Sequence, residues 1–154
     1  MADLAPTAFR RATQADSAEI RTITRDAYAR WVPVIGREPL PMQADYHEAL
    51  RKHRFDLLLR GLQVLALIET DLREDHLWIE NIAVRPEEQG NGLSHRLIDH
   101  AESLARDAGR GEIRLLTNQA FGHNVAMYER RGFNVTARAE FLGGVTVFMA
   151  KTLA

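Results

Sequence analysis

A chain of 154 residues, 45% of them hydrophobic, with a formal net charge of −1, holds enough apolar material for one α/β core and no second core of ordinary size. The near-neutral balance supplies no general field to draw in nucleic acid or an acidic membrane, and the absence of cysteine excludes disulfides, thiolate metal sites and thiol nucleophiles. Residues 1–10 lack the basic start and apolar run of a leader, and no stretch approaches the roughly 20 apolar residues of a membrane span, so one cytoplasmic domain over residues 1–154 is expected.

Residues 9–12 read as a short strand, after which Thr13 and Asp16 form a capping pair for a helix with Ile20, Ile23, Ala27 and Trp31 on one face, ending by Pro33. Residues 32–42 carry Pro33, Gly36, Pro39 and Pro41 and read as a shaped loop before a second helix bearing Tyr46, Ala49 and Leu50. The cations of Arg51-Lys52-His53-Arg54 close that helix, where its dipole favours them. Residues 57–59, Arg60-Gly61 and residues 64–68 form a hairpin pattern, and Leu77–Val84 is a further strand after an acidic turn; these strands are expected in the middle of a sheet. Leu93, Leu97, Ala101, Leu104, Ala105 and Ala108 recur at helical spacing up to a stop at Gly109. Residues 113–116 are the next strand, residues 121–131 the next helix, closed by Gly132, and residues 133–141 and 145–151 a last hairpin across Gly143-Gly144. The order is β-α-α-β-β-β-α-β-α-β-β, an α/β chain.

The densest signal is the run from Ile82 through Gly90 and Gly92 to Ser94, where an apolar strand passes through a glycine turn straight into an amphipathic helix. Glycines admit close backbone approach, and the first N–H groups of a helix have no internal partners, so the layout makes an anion cradle. A plain tight turn explains the two glycines equally well when the loop is taken alone.

Three stretches together resemble the GNAT superfamily of acyl-coenzyme A-dependent N-acetyltransferases over nearly the full chain. They are Gln89-Gly90-Asn91-Gly92-Leu93-Ser94, the segment from Asn124 through Tyr128 to Gly132-Phe133, and the strand from Trp78 to Val84 feeding the turn through Arg85-Pro86. Ser94 stands where the family usually has Gly or Ala, and Asn91 where a basic residue is common. The resemblance implies a GNAT-like mixed central sheet of about seven strands flanked by four helices. It implies acetyl-coenzyme A as cosubstrate, with the N–H groups of Asn91, Gly92, Leu93 and Ser94 on the diphosphate and with Gln89 and Gly90 shaping the turn. The backbone of Ile82, Ala83 and Val84 would run beside the pantetheine arm, with Asn124 contacting that arm. His95 and Arg96 are either phosphate contacts or solvated helix charges.

Attack on a thioester needs a neutral amine, and an amine with pKa of about 10.4 costs about 4.6 kcal/mol to deprotonate at pH 7. Glu80, on the strand leading into the turn, is the candidate base, against the alternative of a strand-end carboxylate bonded to a neighbour. Tyr128 lies four residues after Asn124 on the same helical face and is the candidate donor to the leaving thiolate, against a packed aromatic residue at a helix end.

In this family acceptor specificity comes from the early helices and loops, which here carry Tyr28, Trp31, Arg37, Met42, Tyr46 and His47. Arg37 would pair either with an acceptor carboxylate or, more plainly, with its neighbour Glu38 at the surface. The expected acceptor is a primary amine of a small molecule or peptide. No histidine pair has ligand spacing with carboxylates, so no metal is expected. A homodimer through the late strands, residues 141–148, is the expectation for assembly. The alternative functions are a coenzyme A-binding regulatory module without catalysis and a mononucleotide-binding domain, though the lysine that follows the glycines of a P-loop is absent.

Overall fold

A computed structural model describes residues 6–154. Seven strands, β1 (Thr7–Arg11), β2 (Arg54–Arg60), β3 (Gln63–Leu72), β4 (Leu77–Val84), β5 (Glu112–Asn118), β6 (Asn134–Phe141) and β7 (Gly144–Thr152), form one mixed sheet in the order β1-β2-β3-β4-β5-β7-β6. The helices are α1 (Ser17–Tyr28), a single turn α2 (Val32–Ile35), α3 (Tyr46–Lys52), α4 (Leu93–Asp107) and α5 (Gly122–Arg130). The α/β class and the element order match the expectation, with α2 as an addition.

Thr13 and Asp16 do meet, the Thr13 N–H donating to the Asp16 carboxylate at 2.8 Å, but across one turn of 3-10 helix that precedes α1. The chain does not leave helical geometry by Pro33. Pro33 falls in the first turn of α2, where a residue without an N–H costs nothing, and the turn ends at Gly36. The last hairpin turns one residue earlier than expected, on Leu142 (φ 48°) and Gly143 (φ 80°), with Gly144 already in β7.

Two apolar layers cover the sheet. On one face α4 buries Leu97, Ile98, Ala101 and Ala105 against Leu58, Ala66, Ile68 and Ile113, joined by Met127 and Tyr128 of α5. On the other, α1 buries Ile20, Ile23 and Ala27 against Phe55, Leu57 and Leu67, with Tyr46 of α3. Glu102, buried on α4, accepts from Lys151 of β7 at 3.1 Å and from Arg131 at 2.8 Å, which locks the end of α5 and β7 to α4.

Two irregularities shape the site. Among the described residues β4 and β5 are the only parallel pair, and they pair at Leu77↔Ile113, Trp78↔Arg114 and Ile79↔Leu115 alone. Beyond Ile79 the two strands part. On its other side β4 pairs with β3 throughout, but Glu69 faces Asn81 whereas Thr70 faces Ile79, so Glu80 is an inserted, bulged residue. The bulge reverses the alternation: Leu77 and Ile79 pack in the α4 layer and so do Ile82 and Val84, while Ala83 packs in the α1 layer.

Candidate active site

The parting of β4 from β5 opens a cavity of about 1050 Å³ that passes through the sheet. Tyr28 and Trp31 border it from the α1 side, Asn124 and Tyr128 from the α5 side, and the glycine turn from the start of α4. Trp31 stacks on Phe121 with ring centroids 4.4 Å apart, joining the two arms of the cleft.

The turn is built for an anion. Gly90 (φ 85°) and Gly92 (φ 78°) adopt left-handed backbone, and a Cβ built on either meets no protein atom within 4 Å, so conformation and open space explain these glycines, not packing. Gly92 caps α4 without any side-chain hydrogen bond, leaving the first N–H groups of a 15-residue helix open onto the cavity beside Leu93, Ser94 and His95. An anion there gains up to about 2 kcal/mol from the helix dipole in partly buried geometry. Gln89 holds the turn to the sheet: its amide donates to the Val84 carbonyl at 3.1 Å and accepts from Arg30 at 3.0 Å. Arg30, which also lies over the Trp31 ring at 4.7 Å, brings a cation to a turn whose own Asn91 carries none. Arg96 points elsewhere, bonded to Thr7 and packed over Phe9, so of the helix-start pair only His95 borders the cavity.

Along β4, the Ile82 carbonyl meets the Tyr28 hydroxyl at 3.4 Å, and Ile82, Ala83 and Val84 border the cavity where β5 has moved away. The Tyr28 hydroxyl also donates to Asn81 Oδ1 at 2.8 Å, and Asn81 Nδ2 donates to Thr24 Oγ1 at 3.4 Å. This buried chain anchors the bulge to α1. Burial, reinforced by the neighbouring Tyr128, pushes the Tyr28 phenol far above its ordinary pKa, so it stays a neutral donor. The role of Asn81 was not drawn from the sequence, although a polar residue in an otherwise apolar strand is a legible sign of a buried bonded group.

Glu80 is exposed on the cavity wall and accepts one hydrogen bond, from Trp78 Nε1 at 2.6 Å. Tyr128 is buried, packs edge-on against Phe133 at 5.5 Å, and its hydroxyl has no hydrogen-bond partner among the described residues. Burial pushes its phenol up to about 12. Asn124 borders the same cavity, its side-chain amide likewise without a partner among the described residues.

The acceptor-side expectations divide. Tyr28, Trp31 and Arg37 border the cavity, whereas Met42 and Tyr46 are core residues and His47 bonds Gln14 at 2.6 Å. The ion pair of Arg37 with Glu38 is not formed. Glu38 turns to Arg25 at 2.7 Å, and Arg25 also holds the Met42 carbonyl at 2.7 Å, because the connector after α2 folds back over α1. Phe141 and Phe148, which fall in the stretch expected as a dimer contact, border the cavity from β6 and β7.

A seven-stranded sheet split between its fourth and fifth strands, with an uncapped helix start at the split, makes an α/β fold that offers an open strand edge and main-chain donors to an extended anionic ligand. The profile of the acetyltransferase (GNAT) family matches residues 19–133, and the chain belongs to that family. Its fold is similar to that of the ribosomal-protein-S18-alanine N-acetyltransferase of Escherichia coli (18% identity over 97% of this chain and 95% of that one, TM-score 0.80). It is also similar to the PaiA N-acetyltransferase of Thermoplasma acidophilum in complex with coenzyme A (15% identity, 96% and 99% covered, TM-score 0.81). A third similar structure is a GNAT family acetyltransferase of Elizabethkingia anophelis with acetyl-CoA bound (13% identity, 96% and 98% covered, TM-score 0.71). A comparison with curated proteins finds no match. No helix among the described residues is long and apolar enough to cross a membrane.

Proposed function

We propose that the chain is an N-acetyltransferase that moves acetyl from acetyl-coenzyme A directly to a primary amine of a small molecule or peptide, with both substrates bound at once. The observation that carries this reading is that one cavity is bordered by the uncapped start of α4, by Tyr128 with its unbonded hydroxyl and by the exposed carboxylate of Glu80. Family membership supports acetyl transfer, and the coenzyme in the two similar structures supports acetyl-coenzyme A as donor.

In this reading the N–H groups from Asn91 to Ser94 hold the diphosphate, and the unpaired stretch Ile82, Ala83 and Val84, with Asn124, flanks the pantetheine arm. Glu80 takes the amine proton, directly or through water, as nitrogen attacks the thioester carbon; a positioned base is worth roughly 10²- to 10⁴-fold. The carbon–sulfur bond then breaks, and the sulfur meets the Tyr128 hydroxyl. With the phenol raised to about 12 by burial and a thiol near 8.5, complete proton transfer is uphill by roughly 5 kcal/mol. Tyr128 therefore acts by donating a hydrogen bond to the developing thiolate. A dimer through residues 141–148, the last hairpin of the sheet, belongs to this reading, and sedimentation as a monomer at micromolar protein would remove it.

The test is free-thiol release from acetyl-coenzyme A across an amine panel. Release that saturates with donor and requires an amine is the expected result. Saturable binding without release for any amine would leave a coenzyme A-binding module.

A further inference from the structure

One wall of the cavity carries a guanidinium that forms no ion pair among the described residues. Leu116 of β5 lies opposite Phe148 of β7, Thr146 opposite Ala139 of β6, and Phe141 opposite Gly144. Cross-strand partners share a face, and this one is turned from the α4 layer that buries Leu115, Val147 and Met149. No helix covers it: α1 and α3 pack over Phe55, Leu57, Leu67 and Ala83, in the other arm. The cavity wall here is apolar, and Leu40, Leu116 and Phe141 are large side chains left exposed within it.

Arg37 stands over this wall. Its guanidinium lies 5.8 Å from the Phe141 ring centroid and donates to the Glu38 carbonyl at 3.3 Å. It makes no ion pair among the described residues, since Glu38, the carboxylate beside it in sequence, is held by Arg25. Arginine offers five donors in a planar fork, and one weak backbone bond leaves most of them unused. Across the same cavity, Glu80 presents the carboxylate that an incoming amine needs, and Glu140, which also borders the cavity, makes no ion pair with Arg37.

We infer that the acceptor is an amine that also carries a carboxylate on an apolar body, its carboxylate held by Arg37, its apolar part on Leu116, Phe141 and Phe148, and its amine toward Glu80. This rests on the transferase reading above and narrows its substrate class. A bidentate carboxylate–guanidinium contact shielded by an aromatic ring is a charge-assisted pair, worth about 10- to 100-fold in affinity.

The experiment compares α- and ω-amino acids of apolar side chain or spacer with the amines that lack only the carboxylate, following thiol release from acetyl-coenzyme A. The carboxylate-bearing partner is expected to have kcat/KM about 10- to 100-fold higher, largely through KM. R37M should bring the ratio within each pair to about 1, and R37K should keep part of it. Heat-stability shifts with acetyl-coenzyme A verify that each variant is folded and holds the donor. Equal turnover of both partners in the parent chain, or an R37M variant that keeps the preference, overturns this inference and leaves acetyl transfer standing. No thiol release with any amine overturns the transferase reading as well.

Discussion

The two ends of the cavity are made of different material. At the α4 end the protein offers main chain: left-handed glycines, uncapped N–H groups and an open strand edge. At the β6 end it offers side chains: Arg37, Phe141, Phe148 and Leu116. A diphosphate is the same in every donor molecule, so backbone dipoles suffice and side chains there are free to vary. An acceptor must be distinguished from other amines, and only side chains discriminate. Between the two lies the proposed chemistry, where the bulge presents Glu80 and the helix α5 presents Asn124 and Tyr128 to the split.

The sharpest way to break that comparison is to remove the middle without touching either end. Tyr128→Phe keeps the ring against Phe133 and deletes only the hydroxyl, so kcat is expected to fall roughly 10²- to 10³-fold with acetyl-coenzyme A affinity nearly unchanged. Steady-state kinetics beside equilibrium binding give both numbers, and unaltered kcat would take Tyr128 out of the mechanism. Glu80→Gln leaves an acceptor for Trp78 Nε1 and removes the proposed base; a loss of about 10²-fold in kcat is expected. A kcat that matches the parent would mean that another group, or water, takes the proton.

The same contrast explains what was legible in the sequence. The turn itself was readable because a glycine turn and a strand running into a helix are local facts, encoded in a dozen consecutive residues. Tyr128 and Asn124 were readable because helical spacing puts them on one face. The acceptor end was not, since Arg37 meets Phe141 across more than a hundred residues of chain and its separation from Glu38 depends on how the connector folds over α1. Met42, Tyr46 and His47 looked like pocket residues because they surround a proline-rich stretch, but that stretch is pinned by Arg25 and by the Tyr46 hydroxyl on the Pro41 carbonyl at 2.7 Å, which turns them into the core or toward Gln14. The bulge, too, was invisible, because it is defined by pairing with β3 and not by the sequence of β4.

Gly92→Val probes the backbone end alone. A β-branched residue at φ 78° is strained, and the strain falls on the residue that caps α4 at its open N–H groups. Loss of one charge-assisted backbone contact predicts a rise in the acetyl-coenzyme A Kd of about 10- to 100-fold, read by titration calorimetry, with little change in the relative rates among acceptors. A variant that instead reshuffled acceptor preference would show that the two ends are not separate.

The smallest effect comes from beneath the bulge, where the insertion that aims Glu80 outward sets Glu69 opposite Asn81 in the interior. Burial pushes the Glu69 carboxyl up to about 6 from an ordinary 4.5, opposed by its hydrogen bond with His53 at 2.7 Å and assisted by the charges of Glu80 and Asp71. Between those two pH values the folded chain keeps a proton that the unfolded chain has lost. The stability this group contributes is therefore full below pH 4.5 and is lost as pH rises through 6, by on the order of 2 kcal/mol. Glu69→Gln cannot titrate, so the stability of the parent relative to that variant, from urea unfolding at pH 4.5 and 6.5, should fall by about that amount across the interval. A flat difference would mean that Glu69 keeps one protonation state across the interval and that the interior beneath the bulge does not hold a buried acid.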